Sequence, residues 1–284
     1  MGQTVGGSLV LSVDALSGYS AGLDQLPVAL CALRGRMSAF ATGLEASAWD
    51  HRTRCELWTV HDVLRHVRDC CRVRVDGLGR NGPSPLDEPF DARATPVRWL
   101  APSDGETPDE TVAELQGLVA EEAPALRWRL RDDDGEVVSG PYGPVHWTVL
   151  SSHVFWDPWL HERDIAGPLG VEVRPTAEEE AVIALDSLLI ASVAAARREP
   201  DFSATVALIG EGGWYSAVLS PPRVSLRPAG GPGDEDLAGE LVAVVDALVG
   251  RGDDVRGVLT GSTQVVEPLT TLRAILRPRP ATPP

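Results

Sequence analysis

The sequence predicts an α-helical bundle over residues 1–199, followed by a small α+β domain over residues 200–284 that ends in an irregular tail. Three observations carry this division. Apolar residues recur at helical spacing in successive stretches before Pro200. After Pro200 the pattern changes to period-two alternation broken by Gly- and Pro-containing turns. Two capping boxes, Thr107 with Glu110 and Thr176 with Glu179, mark helix starts in the first part.

Taken in order, Leu26, Leu30, Leu33, Met37 and Phe40 form the apolar stripe of a first helix over 24–43, displaced by Pro27. Residues 47–58 form a polar connector carrying two tryptophans. Thr59 opens a second helix whose apolar face is Val60, Val63, Leu64, Val67 and Val75, with His66 beside it. Residues 79–106 contain five prolines and read as one long loop, a length usually reserved for function or disorder. A third helix runs from Thr107 to about Leu130, with Pro108 at its first position. Residues 131–144 read as a turn-rich, hairpin-like connection. The segment 145–170 is the next helix, and Thr176 starts a strongly apolar one through Arg198. Beyond Pro200, residues 203–209, 214–220 and 223–228 read as strands, 234–250 as a helix, 255–261 as a strand and 268–276 as a short helix. The tail 277–284 reads as disordered or polyproline-like.

Composition narrows the function. A net charge of −16 with no basic stripe argues against nucleic acid or an anionic membrane as partner. No apolar run approaches the ~20 residues of a membrane span, and residues 1–16 lack the positive region of a secretory signal. A cytoplasmic location follows. All 25 basic residues are arginine, and Asn81 is the single asparagine, the bias of a GC-rich genome. Cys31, Cys55, Cys70 and Cys71 have no C-x-x-C spacing and read as reduced, structural thiols.

The chemistry concentrates in 145–170, which holds three of the six histidines, His146, His153 and His161, with Asp157 and Asp164 among them. His153, Asp157 and His161 are spaced by four, so each advances ~400° and all three stack on one slowly drifting helical face. An acid and imidazoles facing inward, joined by His66 from a facing helix, are the donors a divalent metal takes in a bundle core. The same spacing also fits buried histidines hydrogen-bonded to backbone or carboxylate. Asp157-Pro158 further reads as an N-cap followed by the first residue of a restarted helix, in which case His153 replaces Asp157 as ligand. Trp58, Trp147, Trp156 and Trp159 read as core in preference to the alternative, the lining of a substrate pocket, and Asp164 as a structural hydrogen-bonding group. Arg251, just past an apolar helix, is read either as satisfying helix-end carbonyls or as gripping a substrate carboxylate.

Three stretches in order carry a family resemblance. TRCELWTVHDVLRHV (53–67), DPWLHERDIAGPLG (157–170), and VDALVGRGDDV (245–255) followed by VLTG (258–261) resemble segments of the mycothiol-dependent maleylpyruvate isomerase family, a branch of the DinB-like four-helix metalloproteins. The resemblance covers most of residues 24–276. It implies a DinB-like four-helix bundle followed by a small α+β domain similar to sterol-carrier proteins. It places the metal ligands on His66, Asp157 and His161, where the family usually has Glu at position 157, and the reactive arginine on Arg251. It implies Zn²⁺ or another divalent metal, and mycothiol as a thiol cosubstrate activated as thiolate. The partners it implies are this low-molecular-weight thiol and a small-molecule electrophile, on a monomer or homodimer. The length of 79–106 and 131–144 points to S-transfer or exchange onto a larger electrophile. Cis–trans isomerisation of a maleylpyruvate-like dienoate through a transient adduct is the alternative, and a non-catalytic metal-binding or regulatory module is the third reading.

Overall fold

A computed structural model of the chain describes residues 4–5, 8–9, 20–55, 57–78, 94–131, 137–140, 143–221 and 223–276. The elements in order are β1 (Thr4–Val5), β2 (Ser8–Leu9), α1 (Ser20–Thr42), α2 (Val60–Leu78), α3 (Ala94–Leu100), α4 (Pro108–Arg131), β3 (Val137–Gly140), β4 (Gly143–His146), α5 (Trp147–Ala166) and α6 (Ala177–Ala196). Next come β5 (Ala204–Gly210), β6 (Gly213–Ser220), β7 (Arg223–Ala229), β8 (Leu237–Glu240), α7 (Leu241–Leu248), α8 (Val255–Val258), β9 (Thr260–Gly261) and α9 (Thr263–Leu276). Among the described residues, no helix is long and apolar enough to cross a membrane.

Four helices, α1, α2, α4 and α5, form a bundle. The predicted stripes are its core: Leu30, Leu33 and Met37 of α1, Val60, Val63, Leu64 and Val67 of α2, and Leu115 and Leu126 of α4 are fully buried, as are Phe155 and Trp159 of α5. Burial of each such side chain contributes roughly 1.5–3 kcal/mol. Local sequence sets where the helices begin. At the head of α2, Thr59 N–H donates to Asp62 Oδ2 at 2.9 Å while Asp62 N–H donates to Thr59 Oγ1 at 3.2 Å. At the head of α4, Thr107 and Glu110 make the same reciprocal pair at 2.8 and 3.3 Å. Each pair satisfies donors that a helix start otherwise leaves orphaned.

Of three expectations here, two change and one holds. Part of the long 79–106 loop is helical: α3 and a 3-10 turn at Ala101–Ser103 precede α4, and Arg65 of α2 holds that turn through the Leu100 carbonyl at 3.4 Å and Asp104 at 3.3 Å. The hairpin is present as β3 and β4, paired antiparallel from Val137↔His146 to Gly140↔Gly143. Finally, the helix does not restart at Asp157. α5 runs unbroken through Pro158, although an interior proline costs about 3 kcal/mol by removing a hydrogen bond to the carbonyl four residues back. Buried Phe155, Trp156, Trp159 and Leu160 on both sides of it anchor the continuous helix.

The contacts separate Ala21–Arg174 from Pro175–Pro284, so α6 packs with the C-terminal elements α7, α9, β6 and β7. That break lies before α6, whereas the change in sequence pattern lies after it. The C-terminal sheet has the order β7-β6-β5-β8-β9. β5, β6 and β7 are antiparallel neighbours, and β8 runs parallel to β5. Ala217 and Leu219 of β6 are buried while Val218 between them is exposed, the alternation of a sheet with one covered face. α6 begins with the predicted Thr176–Glu179 capping box. Its fully buried Glu180 accepts from Glu211 N–H at 2.6 Å, Gly212 N–H at 2.9 Å and the Tyr215 hydroxyl at 3.2 Å, thereby holding the β5–β6 turn. Two readings change in this unit. The start of the 234–250 helix is β8, and most of the 255–261 strand is the single turn α8, leaving only Thr260–Gly261 as strand. The tail 277–284 lies outside the described residues.

Candidate metal centre

α2 and α5 face one another in the bundle, and each brings ligand-type side chains to the same point. His66 stands two turns into α2; Asp157 and His161 are one turn apart on α5. One ligand atom from each lies within 4.8 Å of the other two. His66 Nε2 is 3.5 Å from Asp157 Oδ2, and His161 Nε2 is 3.5 Å from Asp157 Oδ1. The imidazole centroids are 4.9 Å apart and nearly perpendicular. Both histidines are buried, and Asp157 is partly so.

Electrostatics bind the three together. Burial alone pushes the Asp157 carboxyl up, but His161 and His66 outweigh it and hold the group well below the usual carboxylate range. Burial likewise opposes charge on His161, yet Asp157, with Asp164 and Cys55 adding, raises it well above an ordinary histidine.

The residues fit a divalent cation. Asp157 Oδ2 is buried and accepts no well-formed hydrogen bond, an expensive condition for a carboxylate oxygen unless another positive partner completes it. Two imidazole nitrogens and one carboxylate oxygen are a zinc donor set with a position left open. Donor atoms on ~2.0–2.2 Å bonds around a tetrahedral ion stand about 3.3–3.6 Å apart, close to the separations seen here.

A second layer surrounds His161. Its Nδ1 is 3.0 Å from Asp164 Oδ2, the same oxygen that the Cys55 thiol reaches at 3.1 Å. Asp164 is fully buried, and its other oxygen lies 3.6 Å from Arg54 Nε. The 53–58 turn that delivers Cys55 is tied by Thr53 Oγ1 to the Trp58 carbonyl at 3.0 Å and by Trp58 N–H to the Cys55 carbonyl at 2.8 Å. Trp58 then packs against both imidazoles, at centroid distances of 5.0 Å to His66 and 6.0 Å to His161. It is a half-buried wall of the centre, the less favoured of the two sequence readings, whereas Trp156 and Trp159 are core. The tryptophan-bearing stretch 47–58 carries no periodicity, so Cys55 and Trp58 were marked only by the family resemblance of 53–67 and not by any spacing.

The other sequence candidates lie elsewhere. His153 stacks on Trp156 at 5.1 Å and does not join the three-residue group. Cys70 follows His66 by one turn, its sulfur 3.6 Å from His66 Nε2. Burial pushes the Cys70 thiol well up and the Cys71 thiol to about 12, so both stay protonated. Arg251 belongs to the C-terminal unit. It follows Gly250, whose φ of 81° ends α7, and its N–H donates to the Asp246 carbonyl at 2.8 Å.

Fold and donor set together define a four-helix bundle with a two-histidine, one-carboxylate metal-type centre, joined to a small α+β unit. Residues 30–166 match the sequence profile of the mycothiol maleylpyruvate isomerase N-terminal domain. Among solved structures the chain is similar to the mycothiol-dependent maleylpyruvate isomerase, with a TM-score of 0.55 at 18% identity, over 85% of this chain and 93% of that one. A histidine-to-alanine variant of that enzyme gives a TM-score of 0.51 at the same identity and coverage. At this identity the likeness is one of fold, and it extends across both units. No curated protein sequence matches.

Proposed function

We propose that this protein is a metal- and mycothiol-dependent enzyme of isomerase type acting on a small electrophile with an activated double bond. The observation that carries the reading is the His66–Asp157–His161 group with a buried Asp157 oxygen that accepts no well-formed hydrogen bond, inside the stretch that matches the family's N-terminal domain. His66, Asp157 and His161 are the proposed ligands. A divalent cation held there supplies positive charge that brings a thiol's pKa toward neutrality.

The chain's own residues perform the rest. Asp164 fixes the tautomer and orientation of His161 by accepting its Nδ1 proton, which leaves Nε2 to face Asp157. Trp58 covers both imidazoles and restricts water. Arg251 is assigned a part in the reaction on the resemblance of its VDALVGRGDDV stretch. In the reaction so assigned, the thiol sulfur adds to one alkene carbon and the π electrons move onto the electron-withdrawing group. The former double bond rotates, and re-formation of the π bond expels the sulfur unchanged.

S-transfer shares the first of these steps, after which the anion takes up a proton and the sulfur stays attached. Its sequence basis was the long 79–106 and 131–144 insertions; part of the first is helix α3 and part of the second is the β3–β4 hairpin. The deciding experiment incubates the zinc-loaded protein with mycothiol and maleylpyruvate and separates the products. Trans product with mycothiol recovered in full supports isomerisation. A stable thioether adduct assigns transfer instead, and no turnover of any electrophile leaves the binding-module reading.

A further inference from the structure

One buried charge cluster is not used by the centre described above. Arg34 of α1 donates from Nε to Glu122 Oε2 of α4 at 2.7 Å and from Nη2 to Oε1 at 3.4 Å, and its Nη1 donates to the Val67 carbonyl at 3.3 Å. Arg74 of α2 approaches the same carboxylate, with Nε 3.1 Å from Glu122 Oε1. That contact is an ion pair without hydrogen-bond alignment: Arg74 Nε and Nη2 are both buried and bond to nothing. The side chains of Arg34, Arg74 and Glu122 are 1%, 6% and 2% exposed. Cys71 donates its thiol proton to Glu122 Oε2 at 3.5 Å and adds no charge.

Two guanidinium groups therefore share one carboxylate in the bundle interior. An arginine does not shed its proton to relieve this, and a buried charge without full compensation costs several kcal/mol. Burial dominates at Arg74; Glu122 offsets it only in part and Arg34 opposes it further, which pulls the group down to about 10.

We propose that Arg74, backed by Arg34, forms an anion subsite within the bundle and takes the carboxylate of a small acidic electrophile. A guanidinium whose Nε and Nη2 make no hydrogen bond keeps paired N–H donors that match a carboxylate in two-pronged fashion. The position ties the subsite to the metal-type centre. His66, Cys70 and Arg74 follow one another by four residues on α2 and so share a helix face, with Arg74 about 12 Å along the axis from His66. Cys70 between them is within electrostatic reach of both Asp157 and Arg34. The inference deepens the function proposed above, because it adds a carboxylate to the electrophile at a fixed remove from the reacting end.

The test titrates the zinc-loaded protein with formate and with maleate, against chloride and phosphate at constant ionic strength, by calorimetry and by the shift of Tm. It is run on zinc-loaded wild type and Arg74→Met, and on His161→Ala as the metal-poor control. Saturable carboxylate binding in wild type and His161→Ala, weakened at least about thirtyfold in Arg74→Met, is the expected result. Carboxylate binding that survives in Arg74→Met overturns the subsite, as does no binding in wild type. An equal response to chloride or phosphate overturns the assignment to carboxylate. If circular dichroism shows Arg74→Met unfolded, Arg74→Lys replaces it, and unweakened binding there again rejects the fork-like grip. Failure of the metal reading registers separately, as wild-type protein that takes up no zinc.

Discussion

His161 Nδ1 lies 3.0 Å from Asp164 Oδ2, three residues on along α5, and this contact decides which imidazole nitrogen faces the rest of the centre. With Nδ1 turned to a fully buried carboxylate, Nε2 faces Asp157 and His66. Asp164→Asn keeps the shape but turns an obligate acceptor into a group that also donates. It should weaken zinc binding by about 10–100-fold, read by competition with a chromogenic chelator. Unchanged zinc affinity would reduce Asp164 to a packing residue.

Metal content separates the three ligands from their surroundings. The wild-type protein should carry about one zinc per chain, as one three-ligand site implies, while His161→Ala and Asp157→Ala should carry far less. Asp157→Glu should keep the ion, because the longer acid preserves the donor type. Atomic absorption on the purified proteins measures this directly. Equal metal in wild type and His161→Ala would place the ion elsewhere.

The Thr59–Asp62 pair gives a pH-dependent contribution to stability. Burial tends to raise the Asp62 pKa, but its bonds to Thr59 N–H, Arg65 and the Thr59 hydroxyl lower it below the usual value of 3.8. A depressed folded-state pKa means stability that is fully present above the unfolded value and lost as pH falls through the folded one. Asp62→Asn should therefore cost about 1 kcal/mol at pH 7, with the gap to wild type closing below pH ~4. Urea melts at pH 7 and pH 3.5 test it, and a pH-independent gap would assign the effect to shape instead of charge.

In the C-terminal unit, Glu180→Ala removes the acceptor of the Glu211 and Gly212 N–H groups and of the Tyr215 hydroxyl. Bonds to a charged acceptor contribute roughly 1.5–3 kcal/mol each, so a loss of about 3 kcal/mol or more is expected. Chemical denaturation followed by Trp214 fluorescence at the β5–β6 turn reports it. A loss under about 1 kcal/mol would show that water replaces the carboxylate.

The sequence by itself determined what is local. Helix starts at Thr59, Thr107 and Thr176 are written in residues three apart, and the apolar stripes of α1 and α2 are the buried faces observed. The period-two runs of β7 and the end of β6 were legible because one covered sheet face imposes alternation, whereas β5 buries Val206, Ala207 and Leu208 in succession. His66, Asp157 and His161 were legible as residue types on helices predicted to face each other.

What depended on distant partners was decided only by the tertiary structure. Leu237–Glu240 is a strand because β5 offers its backbone in parallel register from Val206↔Leu237 to Ile209↔Glu240; without that neighbour the run reads as the start of α7. α5 passes through Pro158 because core packing on both sides outweighs the missing hydrogen bond. Cys55 reaches Asp164 across 109 residues, and Arg34 reaches Glu122 across 88. A spacing of that length carries no periodic signal, since only the folded chain fixes which buried polar groups must satisfy one another.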